Sequence, residues 1–132
     1  MKKFLGLVFA VVLFSNTSLA QVTVKDKMQE IGGIFKTISQ TMGDATQNAA
    51  NAENAQKLAD AFIATSPLVP PSIAQMTGEE QTAAMAEYQD LLTEAASISL
   101  DLKKAFETGA PVQDIIKALL DIRKKAHSQF ML

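Results

Sequence analysis

Residues 112–130 read VQDIIKALLDIRKKAHSQF. Apolar side chains recur in it every three or four positions, which is the period of one face of an α-helix. They are Val112, Ile115, Ile116, Leu119, Ile122, Ala126 and Phe130. The segment therefore predicts an amphipathic helix that packs its apolar face against other helices.

Residues 24–42, VKDKMQEIGGIFKTISQTM, carry a similar apolar stripe. Its members are Val24, Met28, Ile31, Phe35, Ile38 and Met42. Residues 48–64 predict a second helix, for which Asn48 is the expected N-cap. Its inner face would be formed by Ala52, Ala55, Leu58, Ala59 and Phe62. Residues 65–77 contain Ser66-Pro67 and Pro70-Pro71, which cannot continue a helix, so they predict a linker.

Thr77 and Glu80 have the spacing of a capping box, which predicts the start of a third helix with Thr77 as N-cap. Gly109 predicts its end, because glycine readily adopts the left-handed conformation of helix C-caps. The inner face of this helix would be Met85, Tyr88, Leu91, Ala95, Ile98, Leu102 and Ala105. Four amphipathic helices with two short connections and one longer one predict an all-α fold, an antiparallel up-down-up-down four-helix bundle.

The first twenty residues have the pattern of a secretory signal peptide. Lys2 and Lys3 precede an apolar run over residues 4–14, and small residues at Ser18 and Ala20 indicate cleavage after Ala20. The run falls short of the ~20 residues that span a bilayer, so no stable membrane anchor is expected. The sequence thus predicts a signal peptide over residues 1–20 and one bundle domain over residues 21–132, exported most simply to a bacterial periplasm.

Composition excludes several kinds of site. The chain has no cysteine, one histidine and a net charge of −2. A thiolate zinc site, a cysteine nucleophile and covalent c-type heme attachment are therefore impossible, and a metal centre of several histidines within one chain is impossible too. A negative net charge also argues against nucleic acid as a partner, because phosphate recognition needs a basic face.

The last helix carries two polar residues on its apolar side. With about 100° per residue, Arg123 and His127 fall inside the arc of the apolar stripe. In an up-down-up-down bundle the end of the last helix lies beside the start of the first, so Met28 and His127 are expected to be neighbours. A thioether facing an imidazole is the axial pair of a six-coordinate heme iron. The plainer interpretations are core packing for Met28, a surface or capping role for His127, and a cationic last turn for Arg123.

These segments resemble the cytochrome b562 family over nearly the whole chain after residue 20. The resemblance rests on Lys-Asp-Lys-Met at residues 25–28, the proline-rich linker, Gly109 and the Arg-x-x-x-His pattern at residues 123–127. It implies non-covalent heme b (iron protoporphyrin IX), with Met28 and His127 as axial iron ligands. It also implies that Phe35, Tyr88, Leu92 and Arg123 contact the heme.

The chain departs from the family pattern at three places. Leu92 stands where the family has an aromatic residue, and the apolar pair Met131-Leu132 replaces a basic C-terminal residue. Gly32-Gly33 is unusual on the helix that carries Met28. This glycine pair either opens room for a porphyrin or only loosens the helix.

Two functional hypotheses follow from the sequence. In the first, the protein is a periplasmic b-type cytochrome that transfers single electrons between unidentified periplasmic redox partners and is not an enzyme. In the second, it is a heme-free periplasmic bundle with a structural, binding or copper-related role, in which Met28 and His127 pack or bind soft copper(I).

Overall fold

The computed structural model describes residues 22–130, and within this range the chain is all-helical and contains no strand. The predicted signal peptide and the pair Met131-Leu132 lie outside the described residues. The elements are α1 (Val24–Thr41), a 3-10 turn (Ala45–Gln47), α2 (Asn48–Thr65), α3 (Pro71–Ala74), α4 (Gly78–Thr108) and α5 (Gln113–Phe130).

A reciprocal capping box fixes the start of α1. The Thr23 hydroxyl accepts a hydrogen bond from the amide of Asp26 at 3.1 Å, and the Asp26 carboxylate accepts one from the amide of Thr23 at 3.1 Å. Two of the amides that a helix leaves unpaired at its N-terminus are satisfied in this way. The box holds the first turn of the helix immediately before Met28.

The predicted N-cap of α2 at Asn48 is wrong. Asn48 is the first residue of the helix, and Gln47 precedes it without a side-chain capping bond. Asp44 caps the preceding 3-10 turn, where its carboxylate accepts from the amide and the hydroxyl of Thr46 at 3.0 and 2.6 Å. These bonds hold the pKa of Asp44 below its usual value. The capping residue therefore lies four positions earlier than expected because a 3-10 turn leads into the helix.

The capping box predicted at Thr77 is also wrong, although α4 starts where expected. The Thr77 side chain makes no capping bond, and Gly78 has a φ of 61°. This left-handed conformation departs from the backbone geometry that a capping box requires. The other end of α4 follows the prediction, because Gly109 takes the left-handed conformation with φ 74° and the Ala110 amide bonds to the Ala105 carbonyl at 2.9 Å.

The proline-rich linker contains a short helix, α3, that the sequence did not predict. Pro71 occupies its first turn, which tolerates the missing amide hydrogen of proline. Ile73 is fully buried, and the Ser72 hydroxyl donates to the Phe130 carbonyl at 2.7 Å. The side-chain amide of Gln81 donates to the Ile73 carbonyl at 3.1 Å. The linker is therefore fixed both to the end of α5 and to the start of α4.

The apolar faces predicted from the sequence are the faces that the structure buries. All members of the four stripes are buried or partly buried. One core cluster contains Ile38, Leu58 and Leu102, and a smaller one packs Tyr88 and Phe130 around Ile73. Three partly buried side chains pack against both clusters: Met28, Phe62 and Ile122.

The long helices are not equally close to one another. The backbones of α2 and α4 have the most extensive contact, α1 packs on α2, and α5 packs on α4. The backbones of α1 and α5 make almost no close contact. Among the described residues, no helix has the length and apolar character needed to cross a membrane.

Candidate functional site

A cavity of about 180 Å³ lies at the junction of the two core clusters. The three residues that pack against both clusters are among its lining residues, and α1, α2, α4 and α5 all contribute to its walls. The walls are largely apolar, with Ile31, Leu91 and Leu119 beside Phe62 and Ile122. We call this space the central cavity. Such a concave apolar space with a few polar groups is the usual form of a ligand site.

All six residues predicted for the site line the central cavity. They are Met28, Phe35, Tyr88, Leu92, Arg123 and His127. The structure thus brings together residues from the first and the last long helix, as well as two from α4. Their meeting supports the spatial expectation, whereas their chemical roles stay predictions.

Met28 and His127 have different environments. Met28 is partly buried, so its thioether lies against the core clusters. His127 is exposed although it lines the cavity, and Arg123, one turn earlier on α5, is exposed as well. The cavity therefore has a sulfur donor on the α1 side, and an imidazole and a guanidinium at its edge on the α5 side.

The two glycines of α1 have different positions. Gly32 lines the central cavity, one turn after Met28, and Gly33 does not. A Cβ built on either glycine would meet no heavy atom within 4 Å. Gly32 therefore leaves open space beside Met28, which agrees with the interpretation that the pair makes room. Gly33 is exposed and adds no space to the cavity.

The Tyr88 hydroxyl is a buried polar group with no hydrogen-bond partner among the described residues. The side chain is 0 % exposed, and its ring meets the ring of Phe130 edge-on, with centroids 5.4 Å apart and planes at 79°. Burial raises the pKa of Tyr88 to about 12. The phenol is therefore a neutral donor at any physiological pH.

A wider groove adjoins the central cavity between the start of α1 and the linker. Its volume is about 1070 Å³, and it shares Met28, Gly32 and Arg123 with the cavity. Lys25 also lines it. We call it the α1 groove. We call the boundary at these shared residues the entrance of the cavity. Arg123 lines both spaces, and Lys25 lines the groove beside it.

The protein ligands available for a metal are few. Within residues 22–130, no group of three His, Asp or Glu side chains is placed to hold a metal ion. The described lining of the central cavity includes one methionine and one histidine. A bare metal ion would need further ligands, whereas a porphyrin supplies four nitrogens to its iron and requires protein ligands only at the axial positions.

Two residues at the site, Phe62 and Lys25, were not predicted as site residues from the sequence. Phe62 was expected on the inner face of α2 but was not assigned to the site, and Lys25 was quoted only as part of the 25–28 pattern. Lys25 precedes Met28 by one helical turn, and this spacing is the signal that places both residues on one side of α1.

Comparisons of the chain with protein families, with curated proteins and with solved structures found no match. A function must therefore be argued from the cavity and the residues that line it.

Proposed function

We propose that this protein is a periplasmic b-type cytochrome that binds heme b non-covalently in the central cavity and transfers single electrons. One observation carries the proposal: Met28 from α1 and His127 from α5 line the same apolar cavity. A thioether and an imidazole are the donor pair that holds a six-coordinate heme iron in electron-transfer cytochromes.

The proposal includes the up-down-up-down topology of the four long helices. Its support is the order of neighbours, since α1 packs on α2, α2 on α4 and α4 on α5. Gly109 ends α4 as its left-handed C-cap, and the connection to α5 is short, as expected for antiparallel neighbours. In a ring of this order α1 and α5 are adjacent, and their sparse backbone contact supports a gap between them for a flat ligand.

The lining residues fit a heme group in three respects. The donor set is one soft sulfur and one imidazole, which is complete for an iron already bound by four nitrogens. Phe35 and Leu92 provide apolar walls, and Gly32 leaves space beside the sulfur. Arg123 and Lys25 at the entrance provide positive charge for carboxylates.

Heme supplies the one-electron iron couple, and the chain would set its properties. The Met28 sulfur would favour the reduced iron because it is a soft ligand, and the apolar walls would exclude water from the bound group. If Met28 and His127 both hold the iron, no ligand position would be left for oxygen or peroxide. The protein would therefore carry electrons without bond chemistry on a substrate.

A copper(I) role is the second candidate, and the structure offers it less support. Copper(I) would use the same sulfur and imidazole, but soft-metal sites in proteins draw on further thioether or thiolate ligands. The described lining of the cavity contributes Met28 and no second methionine.

A hemin titration of the purified protein tests the proposal. We expect wild-type protein to bind hemin with the absorption spectrum of a six-coordinate low-spin heme and sharp visible bands after reduction. Met28→Leu keeps the apolar volume and removes the sulfur, so it should leave a five-coordinate iron. His127→Ala should abolish six-coordination.

Matched controls separate ligand loss from helix damage. Met42→Leu makes the same change at the C-cap of the same helix, outside the described lining of the central cavity, and Lys124→Ala changes an exposed neighbour of His127 on α5. Both control variants should keep the wild-type spectrum. Protein that stays colourless after hemin is added would refute the proposal, and identical spectra for all four variants would refute the ligand assignment.

The periplasmic location depends on the pattern of residues 1–20. Expression of the full chain in a bacterium should yield a periplasmic protein whose intact mass corresponds to a start at Gln21. Recovery of the uncleaved chain in the cytoplasm would contradict this part of the proposal.

A further inference from the structure

The hydroxyl of Tyr88 is the buried polar group that the proposed ligand pair does not use. The residue is 0 % exposed, its hydroxyl has no partner among the described residues, and its side chain lines the central cavity. A buried hydroxyl without a partner destabilises the folded state, because in the unfolded chain the same hydroxyl is hydrogen-bonded to water. Native proteins keep such groups rarely, so the hydroxyl calls for a function.

The surroundings of Tyr88 provide packing but no acceptor. Its hydrophobic cluster includes Ile73, Leu91, Leu92, Ala126 and Phe130, and no described residue accepts a hydrogen bond from its hydroxyl. The edge-on contact with Phe130 needs only the aromatic ring. Phenylalanine would satisfy every described contact of this side chain, so packing does not explain the oxygen.

We propose that Tyr88 is a positioning residue whose hydroxyl donates a hydrogen bond to an anionic oxygen of the group bound in the central cavity. This inference rests on the proposed function. In heme b the inner nitrogens are bound to iron, and the methyl and vinyl groups accept no hydrogen bond. The propionate carboxylates are the remaining acceptors, so the Tyr88 hydroxyl would hold one of them.

Such a bond gives the cavity a means of fixing the ligand's orientation. Met28 and His127 would hold the iron, but these two bonds alone would not fix the rotation of the porphyrin within the cavity. A hydrogen bond from the Tyr88 hydroxyl to one carboxylate would fix a single orientation of the porphyrin. Hydrogen bonds to charged acceptors are stronger than neutral ones, and an apolar environment strengthens them further.

The test compares Tyr88→Phe with wild type for two iron porphyrins. One is hemin, and the other is iron etioporphyrin, which carries alkyl groups and no carboxylates. We expect Tyr88→Phe to weaken hemin binding about tenfold, the usual scale for one hydrogen bond to a charged group. Its affinity for iron etioporphyrin should equal that of wild type.

The ligand-free variant provides a second measurement. Because Tyr88→Phe removes an unpartnered hydroxyl and keeps the ring, its melting temperature without ligand should equal that of wild type or exceed it. A purely structural role for the hydroxyl predicts the reverse, a less stable ligand-free protein with unchanged selectivity between the two porphyrins.

The outcomes separate this inference from the proposed function. If wild type binds neither porphyrin, the proposed function fails. If wild type binds hemin and Tyr88→Phe binds it equally well, or loses affinity equally for both porphyrins, the proposed role of Tyr88 is wrong while the cytochrome proposal stands.

Discussion

Tyr88 is the only tyrosine in a chain without tryptophan, so the ionisation of this one side chain can be followed by ultraviolet absorbance. Burial raises its pKa from 10.0 to about 12. The folded protein therefore keeps a proton that the unfolded chain loses near pH 10. The contribution of the protonated Tyr88 to the free energy of unfolding is therefore fully present below pH 10, and it declines as the pH rises toward about 12.

A pH titration of tyrosinate absorbance should thus show a midpoint near 12 in native protein and near 10 in denaturant. The free energy of unfolding should fall over this interval more steeply for wild type than for Tyr88→Phe, which shares all other titrating groups. A native midpoint near 10 would mean that the phenol reaches solvent.

The sequence predicts some features of individual site residues and not others. Helical spacing places Met28 and Tyr88 on inner faces, and the angle on the last helix places His127 and Arg123 toward the same space. Whether the Tyr88 hydroxyl has a hydrogen-bond partner depends on its neighbours from other elements, such as Ile73 and Phe130. Local spacing holds no information about such long-range neighbours.

At the level of the element, α1 offers a matched pair of glycines. Gly32 and Gly33 both lie inside the helix, and a side chain on either would meet open space. Replacing a glycine in a helix interior with leucine should stabilise the ligand-free protein by about 0.5–1 kcal/mol, because glycine is a poor helix former. Both Gly32→Leu and Gly33→Leu should therefore raise the melting temperature.

Hemin binding should distinguish the two variants. Leucine at Gly32 would enter the central cavity beside Met28 and occupy space that the porphyrin needs, so Gly32→Leu should lose most of its hemin affinity. Gly33→Leu should bind as wild type does. Equal binding by both variants, measured by hemin titration, would show that the ligand does not use the space at Gly32.

Helix boundaries were harder to predict than helix faces. Apolar periodicity depends on residue type alone, and all four stripes are buried as predicted. Capping depends on backbone angles, which is why Thr77 does not cap α4 once Gly78 is left-handed. The four residues of α3 are too few for a periodic pattern, and the adjacent prolines indicate only that a long helix cannot pass through.

For the molecule as a whole, α1 and α5 have fewer close backbone contacts with other helices than α2 and α4 have. The α2–α4 contact is the most extensive, whereas α1 and α5 each pack mainly on one neighbour. Elements with fewer packed neighbours open more often, so their amide hydrogens exchange sooner. A ligand bound between them stabilises the native state through its binding free energy.

We therefore expect hemin to raise the melting temperature in a concentration-dependent way and to slow amide exchange most in α1 and α5. Hydrogen exchange followed by mass spectrometry, with and without hemin, resolves the helices. The Met28→Leu and His127→Ala double variant serves as the reference. Uniform slowing over all helices, or slowing confined to α2 and α4, would place the ligand elsewhere.

The central cavity takes its walls from both α1 and α5, and this constrains when in translation it can form. The residues that line the central cavity extend from Met28 to His127, so a nascent chain has no complete cavity until α5 has been made. Under the proposed function, heme would therefore bind only after α5 has been made, and the predicted signal peptide would place that step after export. Under the proposed function, a chain truncated just before His127 would keep most of its helices and would not form a six-coordinate heme.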